Sequence, residues 1–190
     1  NSDSASLDNG FELLSMSGHS APLTKLMLIP DAWSKKSKIL PKNQLKLFNF
    51  LNSTMEPWDG PAALAGTDNE WVIAASDRNG LRPLRFTITR DKLLFAGSET
   101  GMVDLNEKKI IRKGRLGPGE IIGVRIEKGK VFTNSQIKDY LAKEYKHFNN
   151  QIIDLDKKFP IEKENNNYEG AELRKRQHTF GYSLEDLELI

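Results

Sequence analysis

Few side chains in this sequence are placed to do chemistry. Asp3 stands out, held between Ser2 and Ser4 at the head of an apolar-periodic segment. A Ser-Asp-Ser run there supplies N-cap side chains, because short oxygen-bearing side chains satisfy the free N–H groups of a first helical turn. A carboxylate fixed at a helix start also offers charge-assisted acceptors to a substrate ammonium group. The residue types alone leave both readings open. His19, His147 and His178 fall in three separate regions without metal-ligand spacing, so no metal site is expected. There is no His-Glu-x-x-His and no Gly-x-Ser-x-Gly, and no serine has a local partner to activate it. The glycines between Gly114 and Gly119 lack the Lys-Ser/Thr ending of a phosphate loop and read as a turn into the next strand. Arg174-Lys175-Arg176, beside Glu172, reads as a surface or interdomain salt-bridge segment, and Trp33, Trp58 and Trp71 as core or interface residues.

The elements that would position Asp3 come in three blocks. Residues 1–56 are predicted helical. A first helix follows Ser2-Asp3-Ser4 with Leu7, Phe11, Leu14 and Met16 on one face, and Ser17-Gly18-His19-Ser20 breaks it. A short second helix opens at Pro22, carries Leu23, Leu26 and Met27, and ends at Pro30. After a basic loop at Lys35–Lys38, a third helix runs from about Pro41 to Met55 with Leu45, Phe48, Leu51 and Met55 in register. Residues 61–133 are predicted β-rich, with strands at 61–66, 71–76, 84–89, 92–96, 120–126 and 130–133. The Asn79-Gly80 pair forms a tight reversal there, and Arg78 and Arg82 are expected to form structural pairs. From Ser135 to about Ile153 a helix offers Ile137, Tyr140, Leu141 and Phe148 for packing. A charged, Asn-rich linker follows, then two helical pieces hinged at Gly181, the second capped by Ser183.

The totals bound the function. The chain has 190 residues, 38% of them hydrophobic, and its mean hydropathy is −0.53, enough for a buried core in a water-soluble chain. With 28 basic and 26 acidic residues the net charge of +2 gives no case for nucleic acid or a membrane surface. No run approaches the roughly 18–20 apolar residues that span a bilayer. The absence of cysteine removes disulfides, thiolate metal or iron–sulfur ligation and a cysteine nucleophile from this chain, and fits a cytoplasmic protein. The first residues carry neither an initiator Met nor a signal-peptide core, and Leu187–Ile190 stops inside a helical pattern, so the sequence reads as a cut from a longer chain.

Several segments, taken in order, resemble one family. They are Ser2-Asp3-Ser4-Ala5 with Asp8 and Glu12-Leu13-Leu14; Met27-Leu28-Ile29-Pro30 with Ala32-Trp33; Met55 to Ala63; Asp77-Arg78-Asn79-Gly80-Leu81-Arg82-Pro83; Gly97-Ser98-Glu99 with Gly101; Lys113 to Gly119; and Gly170 to Leu187. Nearly the whole chain is similar to the large subunit of glutamate synthase. It resembles the later part of the N-terminal class II glutamine amidotransferase domain and the start of the central domain. The resemblance implies an α+β fold, a partial N-terminal-nucleophile hydrolase (an αββα sandwich of antiparallel sheets) followed by a linker and helices. The implied divisions are 1–153 for the amidotransferase part, 154–169 for the linker and 170–190 for the start of the central domain.

The implied activity is enzymatic. Glutamine is hydrolysed to glutamate and ammonia by an N-terminal cysteine whose α-amino group acts as base, with an Asn-Gly pair as oxyanion hole. The ammonia is channelled to 2-oxoglutarate for reductive glutamate synthesis. Carried over residue by residue, the resemblance gives Asp3 the glutamine α-amino group and assigns no catalytic residue. The cysteine and the oxyanion Asn-Gly lie upstream of Asn1, and Asn79-Gly80 matches a different, structural motif. FMN and an iron–sulfur cluster are implied for the complete enzyme and none for this segment. The implied partners are the remainder of the large subunit and a small reductase subunit or ferredoxin. The implied location is the cytoplasm, or a plastid in a photosynthetic eukaryote. This segment alone is expected to be inactive. A non-catalytic scaffold module and another class II amidotransferase are the alternatives, and the Phe180-Gly181-Tyr182 to Glu185-Asp186-Leu187 ending disfavours the latter.

Overall fold

Ser2 opens the first helix. It is extended (φ −79°, ψ 157°) and its Oγ accepts from the Ala5 N–H at 3.3 Å, which makes it the N-cap of α1 (Asp3–Met16). The computed structural model describes residues 2–31, 40–146, 158, 168–183 and 186–187. Contacts divide the chain into two units, Asn1–Ile152 and Ile153–Ile190. In the first unit α1 is followed by α2 (Ala21–Leu28), α3 (Lys42–Thr54), β1 (Ala63–Thr67), β2 (Trp71–Ser76), β3 (Leu84–Thr89), β4 (Leu94–Gly97), β5 (Ile110–Leu116), β6 (Ile121–Arg125), β7 (Lys130–Phe132) and α4 (Asn134–Glu144).

The strands form two antiparallel sheets, one of four strands in the order β1-β2-β6-β7 and one of three in the order β4-β3-β5. Residue alternation explains how they stack. On β2, Trp71, Ile73 and Ala75 join Leu23, Leu26, Phe48, Leu51 and Leu141 of the helices in the larger core. Their neighbour Ala74 faces the other way, into a second core with Leu84, Phe86, Leu116 and Ile122 of both sheets. Ile121 and Ile122 on β6 divide in the same manner. The layers are therefore helices, four-stranded sheet and three-stranded sheet, an α+β architecture of the N-terminal-nucleophile hydrolase kind.

The structure corrects several expectations. β5 was not expected as a strand, because Gly114 and its basic neighbours read as turn chemistry. It is an edge strand whose Arg112, Lys113 and Arg115 are exposed, so charge costs it little. Met16 is 80% exposed rather than on the packed face of α1. On α3, Gln44 and Leu47 are buried while Leu45 and Met55 are only half-buried. Arg78 and Arg82 form no ion pair among the described residues; it is the backbone N–H of Arg82 that is used. Trp33, the Lys35–Lys38 loop, His147, Phe148 and nearly all of the 154–168 linker lie outside the described residues.

In the second unit the described residues form α5 (Gly170–Thr179), where Arg176 pairs with Glu172 at 3.3 Å and lies over the Tyr168 ring. Gly181 follows at φ +78°, and Ser183 and Asp186 then bond reciprocally in the manner of a capping box.

The turn after β2 is built on Asp77, which is 1% exposed. Its Oδ1 accepts from the N–H groups of Asn79 and Leu81 at 2.9 and 3.1 Å, and its Oδ2 from those of Ala62 and Arg82 at 3.2 and 3.1 Å. Burial alone would push this carboxyl upward, but the four backbone donors outweigh it and hold it below the ordinary value of 3.8. The carboxylate thus contributes stability above the ordinary carboxylate range, and the contribution is lost as pH falls through the lowered folded value. Asp77→Ala is expected to cost about 3 kcal/mol or more, because buried donors lose a charged acceptor. Asp77→Asn is also expected to destabilise, since its NH2 opposes two of the four donors. Denaturant unfolding followed by circular dichroism checks both, and an Asn variant as stable as the parent would refute the assignment.

Candidate functional site

The start of α1 shows which side chain caps it. Ser2 supplies the cap, which leaves Asp3 as the first helical residue with an exposed side chain. Among the described residues nothing donates to its carboxylate. Its main-chain oxygen accepts from the indole Nε1–H of Trp58 at 3.3 Å. Trp58 comes from the loop between α3 and β1, and its own N–H donates to the Leu28 carbonyl at the end of α2 at 2.7 Å. An exposed carboxylate at a helix start is stabilised by the helix dipole and remains available to a cation. The site thus offers one acceptor group on a braced helix end.

A recess of about 530 Å³ lies between α1, the end of α2 and β1, bounded by Phe11, Leu28, Ile29 and Leu64, with Asp8 and Glu12 at its edge. Asp3 does not line it, so the recess and the proposed substrate contact are separate features. His19 is half-buried at the end of α1 with no partner for Nδ1 among the described residues, and His178 is exposed on α5. Among the described residues no group of three or more His, Cys, Asp or Glu side chains could hold a metal. None of their helices is long and apolar enough to cross a membrane.

Sequence reasoning missed a buried charged cluster in the first unit. All eight residues of α2 are buried, Lys25 among them at 1% exposure. Its Nζ donates to the Gly119 carbonyl at 2.6 Å, while the Gly119 N–H donates to the Asp77 carbonyl at 2.7 Å. Gly119 sits at φ +67°, and a Cβ there would lie 3.0 Å from Asp31 Oδ1, so a side chain would be strained and crowded at once. Asp31 Oδ2 accepts from the buried Lys138 of α4, while Oδ1 has no partner among the described residues. Asp77 was legible in principle, since an Asp two residues before a turn Asn-Gly often accepts from the following N–H groups. Nothing in the sequence marks Lys25 as buried.

Helices backing two stacked antiparallel sheets define a class of protein, the layered α+β folds, to which the N-terminal-nucleophile hydrolases belong. The particular family follows from comparison: residues 1–150 match the model of the glutamine amidotransferases class-II. The chain belongs to that family. It is similar to a glutamate synthase [NADPH] large chain of Azospirillum brasilense, with 47% identity over the whole chain and 13% of the relative's length. It is also similar to the glutamate synthase [NADPH] large chain of Bacillus subtilis, at 34% identity over 98% of the chain and 12% of the relative. A ferredoxin-dependent glutamate synthase 2 of Synechocystis matches at 37% identity over the whole chain and 12% of its length. The chain therefore spans about an eighth of these relatives.

The buried lysine gives a prediction. Burial first, and Lys138 second, depress Lys25 to about 8 from 10.5, against the opposing pull of Asp31 and Asp77. Between those two values the unfolded chain holds the extra proton, so this group's contribution to stability rises with pH from about 8 to 10.5 and is flat below. In parallel unfolding titrations the parent should gain on Lys25→Met across that window. A stability difference independent of pH would contradict the burial of a charged Lys25.

Proposed function

We infer that this chain is the later part of the glutaminase domain of a glutamate synthase large chain, and that Asp3 receives the α-ammonium group of glutamine. The observation that carries the Asp3 reading is that Ser2 caps α1, so the Asp3 carboxylate is not consumed by its own helix. An ammonium needs an acceptor-only group in fixed geometry, and a carboxylate on the first turn of a braced helix meets that need. The reaction is glutamine plus water giving glutamate and ammonia. The nucleophilic cysteine and the oxyanion Asn-Gly belong to other parts of the large chain, as this sequence contains no cysteine.

On the same reading residues 1–153 complete the amidotransferase domain, 154–169 link it onward, and 170–190 begin the central domain. Ammonia is channelled to 2-oxoglutarate at a flavin. FMN and the iron–sulfur cluster are bound elsewhere in the large chain, and the cysteine-free sequence fits that division because thiolates hold such clusters. Electrons come from a small reductase subunit or ferredoxin, and the relatives include [NADPH] and ferredoxin-dependent glutamate synthases. The enzyme works in the cytoplasm, or in a plastid where the source is photosynthetic.

In a full-length large chain carrying this sequence, Asp3→Asn is expected to raise the KM for glutamine by about 100-fold, the order expected when a charge-assisted contact of 1.5–3 kcal/mol is lost with some disturbance of its surroundings. Steady-state glutamate release measures it, and an unchanged KM would remove Asp3 from the substrate site. The 190-residue polypeptide by itself is expected to release no glutamate from glutamine; enzyme-dependent release would overturn the placement of the nucleophile elsewhere.

A further inference from the structure

We propose that Trp58 is a positioning residue for glutamine binding, acting through the first turn of α1. The proposal rests on the reading of Asp3 as the ammonium acceptor. A helix start is prone to fray, so an added bond from outside the helix to its first residue limits that residue's movement. Here the outside partner is an indole. Trp58 Nε1–H donates to the Asp3 carbonyl across 55 residues of sequence, so the residue whose backbone it holds is the residue that carries the exposed carboxylate.

Three contacts fix that indole. The Trp58 N–H is tied to the Leu28 carbonyl at 2.7 Å, which anchors the loop to the buried helix α2. The ring lies so close to Gly60 that a Cβ there would fall 2.8 Å from Cη2 and 3.1 Å from Cζ2. Gly60 also sits at φ +148°, a conformation that L side chains rarely adopt. Finally, Trp58 packs against the larger core, as do Leu7 and Phe11 of the same helix whose start it holds. A tryptophan serving only as core filler would need neither the glycine opposite its ring nor a hydrogen bond from its edge to a helix terminus. Since the Asp3 side chain has no partner of its own among the described residues, its placement depends on its backbone.

The test uses a full-length large chain carrying this sequence and steady-state glutamine kinetics on Trp58→Phe, Asp3→Asn and the double variant. Trp58→Phe keeps an aromatic ring but removes the N–H, and should raise the KM for glutamine about three- to tenfold, the scale of one hydrogen bond, with kcat within about twofold. In the Asp3→Asn background the same change should have no further effect on KM, because the group being positioned is gone. Gly60→Ala, which leaves every hydrogen-bonding group present but displaces the ring, should reproduce the KM-selective rise. If Trp58→Phe raises KM equally with and without Asp3, or lowers kcat by the same factor, Trp58 is structural only and the proposal falls. If Asp3→Asn raises KM while Trp58→Phe and Gly60→Ala leave it unchanged, the proposal falls alone. If Asp3→Asn itself leaves KM unchanged, the underlying reading of Asp3 fails and takes the proposal with it.

Discussion

The hydrogen bonds that converge on Asp77 and Gly119 hold the helical layer and the two sheets to one another. Asp77 gathers four backbone N–H groups onto its carboxylate, and its carbonyl accepts from Gly80 and Gly119 as well. Gly119 then passes the connection to Lys25 of α2 through its own carbonyl. One turn thereby links the end of β2, the start of β6 and the most buried helix of the first unit. The arrangement places charge in a dry interior, where removing one partner strands the others. With Asp31 and Lys138 included, two cations stand with two carboxylates, so the charges of this cluster balance.

This junction bears on the candidate site by way of α2. That helix is buried on every side, and its last carbonyl holds the Trp58 loop. Asp68 in the β1–β2 turn accepts from the N–H of Ala21 at the helix's other end, and from those of Glu70 and Trp71 in its own turn. Both ends of α2 are thus tied to loops of the four-stranded sheet side, and α1 packs against α2. The exposed carboxylate of Asp3 stands at the end of this chain of supports. A polar group that must meet a ligand in fixed geometry gains from such bracing, because a supporting shell limits the positions it can take.

Much of this was readable beforehand, and the reasons are physical. α1 and α3 have capping or Pro signals followed by apolar residues at helical spacing, and β2 has a run whose two faces both need cover. Asn79-Gly80 announced its reversal, and Gly80 takes φ +65° there. The misses share a cause. β5 was hidden because an edge strand tolerates Arg112, Lys113 and Arg115, so its composition resembles a loop. Lys25 was hidden because a lysine inside a short helix reads as solvated, and its burial depends on an acceptor 94 residues away. Arg78 and Arg82 drew attention as charges, whereas the turn uses the Arg82 main chain. At Asp3 the residue types allow two roles, and the structure gives the capping role to Ser2.

The most direct test of the account is a crystal structure of a full-length large chain carrying this sequence with glutamate bound in its glutaminase site. The account predicts the ligand's amino nitrogen at about 3 Å from the Asp3 carboxylate, with the first turn of α1 unchanged. An amino group paired elsewhere, with Asp3 left facing solvent, would contradict it.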